Sequence, residues 1–336
     1  MAQKKLGKQT VAFSKPPIIS STYSIVGQKE GEGPLAKYFD LILEDEFWGE
    51  KTWEKTEAKI VKECVGGCLG KEKVSNDDID FLFSGDLLNQ CISSSFGIRE
   101  RSIPYIGLFG ACSTFVEGMI LGAMTIDGGM ADNVLASTSS HFCSAEKQFR
   151  FPLELGNQRP PSSQWTVTGS GTALLKSSGV GPRITHATAG KIVDMGIKDA
   201  NNMGAAMAPA ACDTLYQHFV DTGRTPDYYD LILTGDLGFI GKQICIELMM
   251  SRGFDLKSNY NDCGCLIFDR ETQDVHSGGS GCGCVATTFC GYVFNKLQEK
   301  TFKKILLCAT GALMSPTTAQ QNESILGIAH AVSIEV

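Results

Sequence analysis

Asp80-Phe-Leu-Phe-Ser-Gly-Asp-Leu87 returns 150 residues later as Asp230-Leu-Ile-Leu-Thr-Gly-Asp-Leu237. The first copy runs on to Gly110-Ala-Cys-Ser-Thr-Phe-Val-Glu-Gly118, and the second to Ser280-Gly-Cys-Gly-Cys-Val-Ala-Thr-Thr288. A shift of 170 residues superposes Cys112 on Cys282 and Asn133-Val-Leu-Ala-Ser-Thr138 on Lys303-Lys-Ile-Leu-Leu-Cys308, so the second copy holds about twenty more residues between its matched blocks. A repeat of this size implies two similar α/β halves related by a pseudo-dyad, here assigned to residues 1–188 and 189–336. Cys112 then opens an apolar helix near their junction.

The 336 residues suffice for two closely packed halves with a large shared interior. With 43% hydrophobic and 20% charged residues the composition is that of a globular protein, and a net charge of −7 argues against a general nucleic-acid or acidic-membrane binder. The thirteen cysteines are odd in number, and Met1-Ala-Gln-Lys-Lys-Leu opens no signal peptide, which points to a reducing cytosol. The longest uncharged stretches are rich in glycine and hydroxyl residues, so no membrane span is expected.

Apolar spacing places a helix over residues 53–68, with Ile60, Val61, Cys64, Val65 and Cys68 on its covered side. A buried strand follows at 79–84, a mostly buried helix at 112–126 and another buried strand at 133–138. Residues 172–177 and 183–187 read as a hairpin around Gly179-Val-Gly181 that closes the first half. The second half repeats the order, with helices at 208–220, after Gly238 and at 284–297, and strands at 229–234, 305–309 and 327–335. Residues 139–163 form a long polar segment without regular pattern, read as a cover over a pocket. Arg150 and Arg159 on it present planar forks suited to carboxylates. His141, directly after a central strand, lies at the end of an α/β sheet where ligand sites gather. The doublets Cys263-Gly-Cys265 and Cys282-Gly-Cys284 space their thiols too tightly for an ordinary zinc site, and no metal is expected.

Gly110-Ala-Cys112 at a helix start, the duplicated halves and Gly278-Gly-Ser-Gly-Cys-Gly-Cys284 resemble the thiolase and ketoacyl-synthase superfamily. More closely, Gly110-Ala-Cys-Ser-Thr-Phe, Phe149-Arg-Phe-Pro-Leu-Glu, Gly156-Asn-Gln-Arg-Pro-Pro161 and Gln164-Trp-Thr-Val-Thr-Gly-Ser-Gly171 resemble the stage V sporulation protein AD family. The resemblance implies a five-layered αβαβα fold. It also implies binding of dipicolinic acid (pyridine-2,6-dicarboxylate), with calcium and without a cofactor, during its uptake into the developing spore. Implied partners are membrane proteins of the same transport assembly, with a cytoplasmic or peripheral location on the inner spore membrane. By analogy the chain is a homodimer, its edge strand placed around residues 133–138.

Two chemistries follow for Cys112. As a nucleophile, its thiol at a helix N-terminus has a lowered pKa and attacks an acyl thioester, with His276 as a thiolase-type histidine. As a pocket residue, Cys112 lines a ligand site with His141, Arg150, Arg159, Asp236 and His276. The synthase branch carries a histidine after the second-half strand, where this sequence has Thr234-Gly-Asp-Leu-Gly238. A carboxylate there raises the thiol pKa, which favours binding over condensation.

Overall fold

The computed structural model describes residues 3–149, 159–256 and 258–336. In the first half, strand β1 (Ile18–Val26), helix α1 (Trp53–Glu72), β2 (Phe81–Gly85), α2 (Ile92–Ile98), β3 (Tyr105–Gly107), α3 (Thr114–Asp127), β4 (Asn133–Ser140), α4 (Phe142–Phe149) and β5 (Gly169–Lys176) follow in order. The second half runs β6 (Arg183–Thr188), α5 (Met203–Thr222), β7 (Leu231–Thr234), α6 (Gly238–Ser251), β8 (Tyr260–Asp262), α7 (Cys282–Thr288), β9 (Lys304–Leu313) and β10 (Leu326–Glu335). The main strands line up as β3-β2-β4-β5-β1 and as β8-β7-β9-β10-β6. In each half the three strands at the outer end are parallel and the remaining pairings antiparallel. The repeat in sequence is thus a repeat in topology. The extra length of the second copy lies in a longer α6 and in the loop before α7.

Helix α1 starts where the Thr52 hydroxyl accepts from Lys55 N–H and stops at left-handed Lys73 (φ 55°). Its residues Ile60, Val61, Cys64, Val65 and Cys68 are buried against β1, β4 and β5. Helix α5 covers β9 and β10 in the same way. Pairing of Ile18 with Arg183 joins β1 to β6 into one continuous sheet, and between its two halves lie α3, which touches strands of both, and α7, which sits on β4 and β5. The layers are therefore α, β, α, β, α. Gly171 permits that close seat, since a Cβ there would stand 2.3 Å from the Ala286 carbonyl oxygen. At the centre the rings of Phe115 and Phe289 meet with centroids 5.8 Å apart.

Three expectations change. Residues 172–177 and 183–187 form no hairpin: both edges of β5 are taken by β1 and β4, so the chain passes β1 and β6 becomes the first strand of the second half of the sheet, paired with β10 and, at Arg183, with β1. The strand at 133–138 is no edge, because β4 lies between β2 and β5; the main sheet ends at β3 and β8. The helix expected at 284–297 begins at Cys282 and passes through a π turn at Phe289–Val293 before ending at Phe294–Gln298. No helix among the described residues is long and apolar enough to cross a membrane.

Candidate functional site

Strand β7 ends at Thr234, and Asp236 two residues beyond it enters the interface between the halves, 1% exposed. Its Oδ1 accepts from the Thr310 hydroxyl (2.6 Å), and its Oδ2 accepts from the Ser280 hydroxyl (3.0 Å) and the Gly281 N–H (3.1 Å). Cys112, 6% exposed, lies beside it and feels its charge. Gly281 (φ 96°) makes the arrangement possible, because a Cβ at that position would lie 2.7 Å from the Ser140 hydroxyl.

Cys112 precedes the helix it was expected to open. Ala111 takes a left-handed conformation (φ 49°), Ser113 is the N-cap and α3 begins at Thr114. The lowered thiol pKa expected from the helix end is overturned. Burial pushes the thiol well above its usual value, and the charge and hydrogen bond of Asp236 push it further, while the Gly281 N–H and the Ser280 hydroxyl only partly oppose them. Burial also raises the Asp236 carboxyl. A neutral thiol beside a carboxylate is poorly prepared for attack on an acyl group.

The pseudo-dyad builds a counterpart that sequence reading missed. Asp86, the repeat mate of Asp236, accepts from the Leu88 N–H (2.9 Å) and the Ser94 N–H (2.7 Å). Beside it lies Glu57 of α1, 1% exposed, which accepts from the Ser139 hydroxyl (2.9 Å) and the Ser144 hydroxyl (2.8 Å). Burial, and then the Asp86 charge, raise the Glu57 pKa. Cys282, the mate of Cys112, feels Cys112, Asp86 and Glu57 in turn. The Asp80–Leu87 repeat was the available signal for Asp86. Glu57 had none, being one of several charged residues on an amphipathic helix.

The segment 139–163 is less irregular than expected: it contains the end of β4 and helix α4, too short to show a clear period. Ala145 of α4 is buried with Cys112, Cys282 and Leu87, and Phe149 packs against the group. Of the segment's described residues, Ala145 and Phe149 are the ones that pack with Cys112 in this group. Arg150 falls outside the described residues.

His141 is buried between β4 and α4. Its Nδ1 accepts from the Cys143 N–H (3.2 Å), which leaves Nε2–H to donate to the Glu46 carbonyl (3.0 Å). Burial holds its pKa below the usual value, so the ring is neutral. It lines a cleft of about 360 Å³ with Lys29, Glu30, Glu32, Asp45, Glu46, Phe142 and Trp165 among its walls. Phe142 and Trp165 stack face to face, 3.7 Å apart at 4°. The Lys29 ammonium lies 3.8 Å from the Trp165 ring centre and the Arg159 guanidinium 4.8 Å from it. Arg159 donates to the Gln164 carbonyl, and the Gln164 amide donates to the Asp236 carbonyl (2.6 Å). The cleft and the buried centre are thus tied through one residue. His276 pairs instead with the exposed Asp274 (3.4 Å) on a surface loop. Of the expected site residues, the structure sets Cys112 beside Asp236 and places His141 in the cleft; Arg159 lies over Trp165, and His276 reaches the cleft only through Asp274, whose carbonyl accepts from Lys29.

This geometry is that of a thiolase or ketoacyl-synthase fold, and solved structures agree. The 3-oxoacyl-(acyl-carrier-protein) synthase III of Aquifex aeolicus VF5 matches with a TM-score of 0.58 at 12% identity, over 95% of this chain and 100% of that one. Cerulenin-bound OleA of Xanthomonas campestris matches with a TM-score of 0.58 at 10% identity, over 99% and 100%. At such identities the likeness concerns the fold alone. Within that class, residues 7–335 match the stage V sporulation protein AD family, and stage V sporulation protein AD of Bacillus subtilis (strain 168) is 43% identical over 99% of this chain and 98% of its own length. The chain belongs to that family.

Proposed function

We propose that this chain is a catalytically retired thiolase fold that binds dipicolinic acid, with calcium accompanying the ligand, for its uptake into the developing spore. The observation that carries the reading is Cys112 buried beside Asp236, where burial and then that carboxylate's charge push the thiol well above its usual pKa. That pair fills the nucleophile's place with a group unfit for acyl transfer. The proposed ligand-binding set is Cys112, His141, Arg150, Arg159, Asp236 and His276. Its members divide between a buried centre, a cleft and a loop, and Arg150 has no described place. In the same reading the chain works as a homodimer beside membrane proteins of one transport assembly, peripheral to the inner spore membrane.

The competing reading is an acyl-thioester enzyme using Cys112, favoured by the left-handed Ala111 that presents the thiol before a helix. Mass spectrometry after incubation with acyl-CoA separates the two, together with calorimetric titration of dipicolinate with and without calcium. Dipicolinate binding and an unmodified Cys112 are expected. An acyl adduct on Cys112 with no dipicolinate heat overturns the binding reading.

A further inference from the structure

The cleft beside α4 is walled by carboxylates: Glu30, Glu32, Asp45 and Glu46 line its roughly 360 Å³, with Lys29 the one lysine or arginine among its described walls. Much of that wall is fixed. The Asp45 carboxylate accepts from the Phe47 N–H (2.8 Å) and the Trp48 N–H (2.7 Å), and Glu30, 1% exposed, accepts from the Thr168 N–H (2.9 Å). The Glu46 carbonyl accepts from His141, whose ring is neutral and adds no charge. The stacked rings of Phe142 and Trp165 complete the lining. Over the Trp165 face, 3.8 Å from its centre, lies the Lys29 ammonium, which also donates to the Asp274 carbonyl (3.3 Å). The chain's own alkylammonium thus occupies a station built for one, a ring face among carboxylates. Burial holds Lys29 below its usual pKa; Asp274 opposes the shift, and Arg159, packed on the same ring outside the cleft, adds to it. Swung into water on its four-carbon stem, Lys29 regains its hydration, so it is an exchangeable occupant. It also leaves the carboxylates in excess, and a ligand with several positive charges gains more there than it displaces.

We propose that this cleft binds a linear aliphatic polyamine, one ammonium of which replaces Lys29 over Trp165 while the others meet Glu32, Asp45 and Glu46. The ring face favours an alkylammonium over a metal ion, which holds its water tightly and needs a shell of oxygen ligands. No group of three or more His, Cys, Asp or Glu among the described residues is set to hold a metal ion. Carboxylates from two chain segments suit charges spaced along a chain, and the methylenes between those charges pack on the aromatic side chains. The site is separate from Cys112 and Asp236.

The test is calorimetric titration of the full chain with spermidine and with hexaamminecobalt(III), an inorganic cation of equal charge, at one ionic strength. Spermidine is expected to bind at one site per chain, at least tenfold more tightly than the cobalt complex. Trp165→Leu, and Glu32→Gln combined with Glu46→Gln, are each expected to weaken spermidine at least tenfold with circular dichroism unchanged. Lys29→Met is expected to tighten it severalfold, because the resident competitor is gone. Glu32 and Glu46 are exposed, so their double variant stays informative if Trp165→Leu folds poorly. Equal affinity for the two cations means a general acidic surface and overturns the site. Parent-like spermidine affinity in the folded double variant, or no spermidine binding by the parent, overturns it as well.

Discussion

Asp236 sets the chemistry at the centre of the molecule. It follows strand β7 into the interface between the halves, and it accepts hydrogen bonds from Thr310, Ser280 and Gly281. Asp236→Asn removes a charge that, after burial, raises the Cys112 pKa, but it replaces one of the two acceptor oxygens with an NH2 that cannot accept from the donors on that side. The expected result is a Cys112 that iodoacetamide modifies at lower pH than in the parent, in a protein less stable to urea by about 1–3 kcal/mol. An unchanged pH profile of alkylation, read by mass spectrometry, would show that Asp236 does not control the thiol. Glu57 gives a second residue-scale prediction. Its pKa in the folded protein is raised, so between the unfolded carboxylate value and the folded one the native state holds more protons than the unfolded state, and stability falls as pH rises through that window. Glu57→Gln is expected to flatten the decline in melting temperature from pH 5 upward. An equal decline in both proteins sinks the assignment. Asp236 was legible in the sequence because the repeat marked it. Glu57 was hidden, since its burial depends on Ser139 and Ser144 some eighty residues away.

Elements whose partners lie close in sequence order, or whose apolar period runs for several turns, were legible at the scale of strands and helices. Helix α1 extends a turn beyond its expected end because Lys73 caps it in a left-handed conformation, a feature that apolar spacing does not carry. Strand β6 was assigned to the wrong partner for a different reason. Gly179 and Gly181 (φ 129° and 156°) resemble a hairpin turn, but hydrogen bonds from Ile19 N–H to the Pro182 carbonyl and from Ile184 N–H to the Pro17 carbonyl draw the chain across β1. Such a choice is made by which strand edges remain open, and that is a tertiary fact. Helix α4 was missed because it runs for two turns and rests on Cys112 through Ala145 and Phe149 alone. It also carries Phe142 of the cleft and Ser144, which donates to Glu57, so it links both centres to the segment that follows. Saturating dipicolinate is expected to slow limited proteolysis within residues 139–163 severalfold. Cleavage at the same sites and rates with and without ligand would mean that the segment does not respond to binding.

At the scale of the whole molecule, the two five-strand halves account for the repeat, and the pseudo-dyad sets each cysteine beside the aspartate of the other half. The same topology moves the expected dimer contact. Since β4 is enclosed on both sides, the ends of the described main strand order that a partner could extend are β3 and β8. Around β3 the surface is apolar: Phe96 is 59% exposed, Phe109 48% and Ile106 42%, with Ile92 beside them on α2. Strand β8 shows no such surface, since Tyr260 and Asp262 are buried and α6 runs alongside. An unpaired strand rimmed by exposed aromatic side chains is costly to leave in water, and pairing with its own copy across a two-fold axis would relieve it. Light scattering at micromolar concentration is therefore expected to give twice the chain mass of 36.2 kDa. The double substitution Phe96→Glu with Phe109→Glu places four like charges at the centre of a symmetric contact and is expected to return the protein to 36.2 kDa with its circular dichroism intact. A parent chain that scatters at the single-chain mass across that range removes the dimer; a double variant that stays dimeric moves the contact away from β3.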